Sequence, residues 1–372
     1  MKPVFPDYDH SILGIPNSVL KHYGVQTNYA SLPVLDTYLQ TEPKNIVIWI
    51  WDGFGSDLFQ KLLSPKAFLK YHIKDELSSV FPPTTTAATT TYYSGLPPVV
   101  HGWIGWSPYF PEYGKAIELF SGKDTYTQCD TGIKPFQKLP YMHLFEKIRA
   151  HNPAISCHEI FPQKIRTDGV DTFEKQCDHI LKYTQCGGRQ FILAYWPEPD
   201  HSCHHNGTYD TSVQKLVRHM NHEAHKLCRK LKDTLLIISA DHGHVPVSEV
   251  FYIDTYPEIT DCLRTPLNLD DRVSAIFLKD GKEADFLKAF DTYLKKDFIL
   301  MKSDDALSQN LFGFGPLNPR IKDFIGDYLL IATGTRILRQ RVGDLVSGPE
   351  LKSSHAGLTP LEMRVPLIVI RK

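Results

Sequence analysis

Histidine is concentrated in one part of this 372-residue chain, where eight of the 17 histidines lie between His201 and His244. Carboxylates follow short apolar runs at three places, in the segments NIVIWIW-Asp52, FILAYWPEP-Asp200 and TLLIISA-Asp241. Three carboxylates that met in one crevice would repel each other unless a cation offset their charge. Imidazole and carboxylate groups without thiolate favour zinc, manganese or a similar divalent ion over calcium or an iron–sulfur cluster. The residue types therefore predict a metal site.

The spacing of these residues narrows the candidate ligands. Asp200 and His204 in EPDHSCHHNG are four residues apart, so they lie on one face of a helical turn, a common arrangement for two ligands of one ion. Asp241 and His242 are adjacent, and His355 in SSHAGLTP supplies another imidazole. By contrast, the histidines at 219, 222 and 225 share the polar side of a predicted helix with Lys and Arg, so we expect them to face solvent.

A threonine-rich segment provides a candidate nucleophile. Six of the eight residues from 84 to 91 are threonine, and prolines flank the run on both sides. A core strand is disfavoured because it would bury many hydroxyls, whereas a helix N-terminus that caps itself explains most of them. One hydroxyl beside a metal ion would be a nucleophile that needs no histidine base. A helix N-terminus there would also favour a bound phosphate.

The apolar runs predict the elements that position these groups. Continuous apolarity over four to seven residues is typical of strands covered on both faces, and residues 211–233 show helical spacing of apolar side chains. We therefore predict an α/β fold with a doubly wound, mostly parallel central sheet flanked by helices. Ligand sites in such sheets lie outside the carboxyl ends of the strands, where the three aspartates stand.

The chain is predicted to form one catalytic domain overall. Residues 1–44 form a lead-in, 45–245 the catalytic α/β core, and 346–372 the return to the core. Residues 246–345 are richer in Pro, Asp and Lys and are interpreted as a smaller α+β insertion or lid.

Composition excludes several classes of protein. The 41 Lys+Arg and 42 Asp+Glu leave a formal net charge of −1, which disfavours nucleic acid and anionic membrane as partners. The seven cysteines are scattered without a CxxC pair, which favours reduced thiols and a cytoplasmic location. The N-terminus lacks the apolar run of a signal peptide, and no apolar run is long enough to span a membrane. The oligomeric state is not readable from the sequence.

Taken in order, the motifs resemble those of the alkaline phosphatase superfamily, most closely the type I phosphodiesterase/nucleotide pyrophosphatase family. The resemblance covers most of the chain and rests on five motifs: a strand ending in DG, FPPTTT with SGLPPVVHG, EPDHSCHH, DHG and a late HAG. It implies an alkaline phosphatase-like fold and two divalent ions, with zinc favoured and manganese as the alternative.

The resemblance also implies roles for individual residues. One metal would be held by Asp52, Asp241, His242 and the nucleophilic threonine, and the second by Asp200, His204 and His355. The family nucleophile stands ten residues before a turn glycine, here Gly95, which indicates Thr85, with Thr84 and Thr86 as near misses.

The implied activity is hydrolysis of a phosphodiester or nucleotide pyrophosphate through a phosphothreonine intermediate. Thr86, through its backbone amide, His205 and Trp196 are candidate substrate-binding residues. Trp103, Trp106, Tyr195 and Trp196 could form an aromatic slot, with a place in the core as the alternative. The expected partner is a small phosphate ester, with a nucleotide as one candidate.

Two departures from the family pattern bear on the substrate. Ala88 stands where family members usually have an Asn that helps to hold a phosphate oxygen, which weighs against ordinary nucleotide substrates. Cys203 replaces a frequent Gly and is interpreted as a packing residue.

Other activities on the same scaffold stay open. These are phosphomonoester hydrolysis, phosphonate hydrolysis and phosphosugar mutation, and the less favoured alternative is a non-catalytic metal-binding protein. A monoesterase or mutase needs extra positive charge, which Arg166 or Arg364 could bring through folding. A sulfatase is disfavoured because no cysteine lies in a CxPxR context.

Overall fold

The computed structural model describes residues 1–343, 345–346 and 348–372. Within these residues, the strands of four or more residues are β1 (Asn45–Trp51), β2 (Ile73–Ser78), β3 (Ser156–Ile160), β4 (Gln190–Trp196), β5 (Thr234–Ser239), β6 (Glu249–Tyr252), β7 (Val273–Ile276), β8 (Phe298–Lys302), β9 (Tyr328–Ala332), β10 (Arg336–Arg339) and β11 (Arg364–Arg371). Two-residue strands lie at Tyr109–Phe110, Lys115–Ala116, Val245–Pro246, Arg341–Val342, Leu345–Val346 and Ser353–Ser354.

The longer helices of the described residues are α1 (Gly14–His22), α2 (Pro33–Leu39), α3 (Ser56–Leu62), α4 (Thr85–Ser94), α5 (Leu144–His151), α6 (Phe173–Thr184), α7 (Asp200–Asn206), α8 (Thr211–Cys228), α9 (Glu283–Tyr293), α10 (Ser303–Ser308) and α11 (Ile321–Ile325). Four-residue helices lie at Pro98–His101, Pro135–Lys138, Pro257–Thr260 and Pro360–Met363, and 3-10 turns at Tyr8–His10, Phe68–His72 and Ile253–Thr255. Across the part of the chain that is described, no helix has the length and apolarity that crossing a membrane requires.

A six-stranded sheet forms the centre of the described structure, in the order β2-β11-β5-β1-β4-β3. Strand β1 pairs in parallel with β4 and β5, and β4 pairs in parallel with β3. Only β11 runs antiparallel to its neighbours, β2 and β5. The predicted fold class, an α/β fold with a mostly parallel central sheet flanked by helices, is confirmed.

Both faces of this sheet are covered, which explains why its strands are continuously apolar. Every residue of β1, β4 and β5 is buried. On one face Trp49 stacks on Phe173 of α6 at a centroid distance of 4.9 Å. On the other face Phe191 meets Tyr23, just after α1, and Phe145 of α5. Because side chains alternate along a strand, each face requires its own set of apolar residues.

Helix α8 links the end of β4 with β5 and follows the predicted amphipathic pattern. Its buried side includes Val213, Val217, Met220, Ala224 and Leu227. The histidines at 219, 222 and 225 are exposed, as expected for its polar side, and His219 lies 2.7 Å from Glu174 of α6.

A smaller sheet, β7-β9-β8, is antiparallel throughout. One of its apolar clusters includes residues from the segment 99–139 as well as from 269–363, so both segments contribute to this part of the molecule. The exact domain boundaries given above stay a prediction.

A fully buried ion pair joins the smaller sheet to the loop that carries His355. Arg272, directly before β7, donates to both carboxylate oxygens of Glu362 and to the carbonyls of Gly334 and Arg336. Glu362 also accepts from the backbone amide of Gly357. Removing one partner of a buried pair leaves an uncompensated charge in the interior.

We expect Arg272→Met to lower the free energy of unfolding by about 3–5 kcal/mol. Chemical denaturation of the purified protein measures this loss. Arg364→Met is the matched control, because the pair that Arg364 forms with Glu76 is about half exposed and should contribute less than about 1 kcal/mol. Equal losses in the two variants would contradict the prediction.

Candidate active site

The carboxyl ends of three neighbouring strands bring the predicted side chains together. Asp52 follows β1, Asp241 and His242 follow β5, and Asp200 opens α7 after β4. Backbone hydrogen bonds fix this edge: the amide of Asp52 donates to the carbonyl of Trp196, and the amide of Asp200 donates to the carbonyl of Asp52. Parallel pairing in register therefore places residues that are far apart in sequence at one edge of the sheet.

Asp52, Asp241 and His242 form the first group of potential metal ligands, with ligand atoms within 4.8 Å of one another. His242 Nε2 lies 3.3 Å from Asp52 Oδ1 and 3.5 Å from Asp241 Oδ2. Thr85 Oγ1 lies 3.3 Å from His242 Nε2 and 3.5 Å from Asp52 Oδ2. The candidate nucleophile and the three predicted ligands thus converge on one point.

The second group surrounds Asp200. Its Oδ1 lies 3.2 Å from His204 Nε2 and 3.6 Å from His355 Nε2. His244, which the sequence analysis did not include among the ligands, is nearer still, with Nε2 at 2.7 Å from the same oxygen. Asp200 with His204 and His244, and Asp200 with His242 and His355, both have the close spacing of a potential metal group.

The predicted histidine ligands are oriented by backbone carbonyls. Each directs Nδ1 to a carbonyl oxygen at 2.8–3.1 Å: Ser353 for His204, Pro83 for His355 and Gly243 for His242. A carbonyl can only accept, so Nδ1 carries a proton in each ring, and Nε2 is the nitrogen that would bind a cation. This is the arrangement that metal-binding imidazoles require.

Buried carboxylate oxygens show that these residues fit a cation. Among the described residues, Asp52 Oδ1 and Asp241 Oδ2 are buried without a hydrogen-bond partner. Burial, together with the charges of Asp200 and Asp241, raises the pKa of Asp52 well above its usual range. A divalent ion coordinated by these oxygens would offset the repulsion between the carboxylates.

The environment shifts the pKa values of Asp200 and of the imidazoles around it in different directions. Burial opposes ionisation of Asp200, but His204 and His244 hold its pKa well below the usual range. Burial also opposes protonation of His204, but Asp200 raises the pKa of that imidazole to about 9. Burial lowers the pKa of His244 to about 4 and that of His355 well below its usual value. The group thus holds one carboxylate among imidazoles of which two resist protonation.

Tyr195 is a functional candidate that sequence reasoning placed only in an aromatic slot. Its hydroxyl donates to Asp52 Oδ2 and so holds the Asp52 carboxylate in an orientation that leaves Oδ1 without a hydrogen-bond partner. Strand alternation explains the contact, because Tyr195 near the end of β4 points to the same face of the sheet as Phe191.

We expect Tyr195→Phe to weaken metal binding about tenfold or more, because a partner that orients a ligand carboxylate is lost. Titrating the stripped protein with zinc or manganese while hydrolysis is followed measures this. Tyr8→Phe is the control, since the buried Tyr8 hydroxyl donates to the carbonyl of Leu311 and not to a carboxylate. Unchanged metal affinity in Tyr195→Phe would exclude the proposed role of the hydroxyl.

Thr85 is the first residue of helix α4, and the turn before it is shaped by another part of the chain. Thr84 stands at the N-cap position, but its hydroxyl donates to Asp270 Oδ2 at 2.8 Å and makes no cap hydrogen bond. The first-turn amides of α4 have no intrahelical acceptor and can therefore bind an anion. The helix ends at Gly95, which has φ of 67°, a left-handed conformation that favours glycine.

A cavity of about 690 Å³ opens over these groups. Its lining includes Thr85, His205 and Trp106. Trp196 does not line it but packs in the core against Phe173 at 5.7 Å, on the face of the sheet opposite Tyr195. The structure therefore does not support Trp196 as a substrate-binding residue.

Several other predicted side chains lie away from the cavity lining. Thr86 is fully buried. Trp103 is buried and donates to the carbonyl of Leu139. Arg166 pairs with Glu159 and Asp168, and Arg364 with Glu76, so neither contributes a cation to the described lining. Cys203 is fully buried, and burial raises the pKa of its thiol, as expected for a packing residue.

Comparison with known proteins identifies the class to which this fold and site belong. A model of the type I phosphodiesterase/nucleotide pyrophosphatase family matches residues 46–306. The chain belongs to this family, which confirms the resemblance seen in its motifs. No curated protein sequence gives a significant match.

Solved structures share the fold at low sequence identity. Murine ectonucleotide pyrophosphatase/phosphodiesterase 5 superposes with a TM-score of 0.65 at 16% identity, covering 87% of each chain. The human protein of the same name gives 0.65 at 18%, over 88% of this chain and 89% of the other. Phosphonoacetate hydrolase from Sinorhizobium meliloti 1021 gives 0.65 at 16%, over 88% and 90%. The family and these neighbours indicate a phosphoester hydrolase.

Proposed function

We propose that this protein is a metal-dependent phosphodiesterase or nucleotide pyrophosphatase with Thr85 as its nucleophile. The observation that supports this most directly is the position of the Thr85 hydroxyl. It opens a helix, lines the cavity and lies within 3.5 Å of both Asp52 and His242. A hydroxyl at this position can meet a phosphorus atom whose oxygens are held by the amides of the first helical turn.

The proposed metal ligands are those predicted from the sequence. Asp52, Asp241, His242 and Thr85 would hold one divalent ion, and Asp200, His204 and His355 a second, with zinc favoured over manganese. Enzymes of this family use divalent metals. When bound, such ions supply positive charge that stabilises the oxygens that gain charge during displacement at phosphorus.

The chain's own groups define the two steps of the proposed reaction. Thr85 Oγ1 forms a bond to phosphorus while the bond from phosphorus to the leaving oxygen breaks, which gives a phosphothreonine and an alcohol. Water then attacks the same phosphorus and releases Thr85 with the phosphate product. The backbone amide of Thr86 is the proposed donor to a nonbridging oxygen, and His205 on the cavity lining is a proposed substrate contact.

The compared structures support a small phosphate-containing ligand. One structure of the murine protein is an inactive threonine-to-alanine variant in complex with AMP, and the phosphonoacetate hydrolase is in complex with phosphonoformate. Ala88 is fully buried within α4, so no side-chain amide is supplied at that position. Phosphonate hydrolysis is therefore the second candidate activity.

A cytoplasmic location stays a prediction.

The test is a hydrolysis assay on protein stripped of metal and reconstituted with zinc or manganese. We expect metal-dependent release of p-nitrophenolate from bis(p-nitrophenyl) phosphate. Phosphonoacetate is the parallel substrate, and turnover of it alone would replace the diesterase proposal with the phosphonate one. Reconstituted protein that turns over neither substrate would overturn both and favour a non-catalytic metal-binding protein.

A further inference from the structure

The cavity wall beyond the potential metal ligands carries more carboxylates than arginines and lysines. Glu118, Asp270 and Asp271 lie in the described lining, and Arg339 is the one arginine or lysine there. Arg339 is buried, pairs with Asp271 at 2.8 Å and donates to the carbonyl of Pro349. Its charge is already matched within the protein, so it is poorly placed to balance a second negative charge on a substrate.

Of these three wall carboxylates, Asp270 is the one that is hydrogen-bonded to the residue before the candidate nucleophile. Its Oδ2 accepts from the hydroxyl of Thr84, the residue before Thr85, and its Oδ1 accepts from the amide of Asp271 at 2.9 Å. Among the described residues it has no arginine, lysine or histidine within ion-pair distance. The carboxylate is therefore held by two hydrogen bonds beside the start of α4 without an ion-pair partner, and the charge of His204 acts on it only beyond ion-pair distance.

A substrate phosphoryl group over Thr85 would meet this negative charge. A phosphodiester carries one negative charge, whereas a phosphomonoester carries nearly two at neutral pH and above. A partly buried charge is screened less by solvent than an exposed one, so Asp270 should repel a dianionic monoester more strongly than a monoanionic diester.

We propose that Asp270 is a specificity-determining residue that disfavours dianionic phosphoryl groups and thereby selects monoanionic diesters. This inference rests on the proposed function, because it places the phosphoryl group at Thr85. It also accounts for the position of a carboxylate in a wall where a monoesterase would need a cation.

The competing explanation is that Asp270 only holds Thr84 in place. Asp270→Asn separates the two, because asparagine keeps the shape, can accept from the Asp271 amide with Oδ1 and can donate to the Thr84 hydroxyl with Nδ2, but removes the charge. Asp270→Glu retains the charge. Glu118→Gln removes a different carboxylate from the same wall.

The experiment compares kcat/KM for bis(p-nitrophenyl) phosphate and p-nitrophenyl phosphate, which release the same leaving group. It is run on metal-loaded protein at about pH 8.5, where the monoester is a dianion. Burial raises the pKa of Asp270 to about 7, so its carboxyl is ionised at that pH. In Asp270→Asn we expect the monoester-to-diester ratio to rise about tenfold. In Asp270→Glu and Glu118→Gln we expect it to change less than about threefold.

Each result decides the question. An unchanged ratio in Asp270→Asn, or an equal rise in Glu118→Gln, would overturn the inference while the diesterase activity of the wild-type protein stood. Loss of both activities in a folded, metal-loaded Asp270→Asn would also overturn it, because the carboxylate would then serve both substrates. If the wild-type protein hydrolyses neither ester, the proposed function fails and the inference with it.

Discussion

Replacement of Thr85 by alanine is expected to lower the turnover of bis(p-nitrophenyl) phosphate on the order of 10³-fold or more. The physical reason is that no other hydroxyl in the threonine run is equivalently placed. Thr84 donates to Asp270, and Thr86 Oγ1 is buried, so Thr85 presents the oxygen near Asp52 and His242. Steady-state hydrolysis assays test this, and the metal content of the variant is measured in parallel.

Two variants control for the effect of the substitution itself. Thr85→Ser keeps a hydroxyl and should retain measurable turnover. Thr91→Ala makes the same side-chain change on the same helix, where the lost hydroxyl donates to the carbonyl of Ala87, and it should leave turnover close to the wild type. Undiminished turnover by Thr85→Ala with metal bound would remove Thr85 as the nucleophile.

Removal of divalent metal should abolish hydrolysis and lower the thermal stability of the protein. Asp52, Asp200 and Asp241 meet at one edge of the sheet, and two of their buried oxygens have no partner among the described residues. Without a cation these carboxylates repel each other, whereas an ion held at about 1,000 times its Kd contributes about 4.1 kcal/mol per site.

Thermal unfolding with excess chelator and after addition of zinc or manganese measures this contribution. Asp241→Asn is the matched variant, because it keeps the side-chain shape but removes one of the repelling charges. Its melting temperature should depend less on metal than that of the wild type. A melting temperature and a rate that are both unaffected by chelator would contradict a resident metal site.

Much of this site could be predicted because the fold has a simple rule for where strands end. NIVIWIW and TLLIISA are continuously apolar, as strands buried on both faces must be, and both are buried throughout. Carboxyl ends of parallel strands meet at one edge of a sheet, so an aspartate after each run predicts a shared site. The helical spacing of Asp200 and His204 likewise placed both side chains on one turn, now seen as α7.

The sequence by itself therefore determined the residue types at the strand ends, the amphipathic helix and the family. Tertiary structure decided which neighbours of those residues reach them. Tyr195 and Trp196 are adjacent, yet the Tyr195 hydroxyl donates to Asp52 whereas the Trp196 ring packs on Phe173. The reason is that successive side chains point to opposite faces of a strand. Asp270 and Thr84 are 186 residues apart and share no motif. Their contact arises only because the segment before β7 folds against the start of α4, and spacing along the chain cannot encode that proximity.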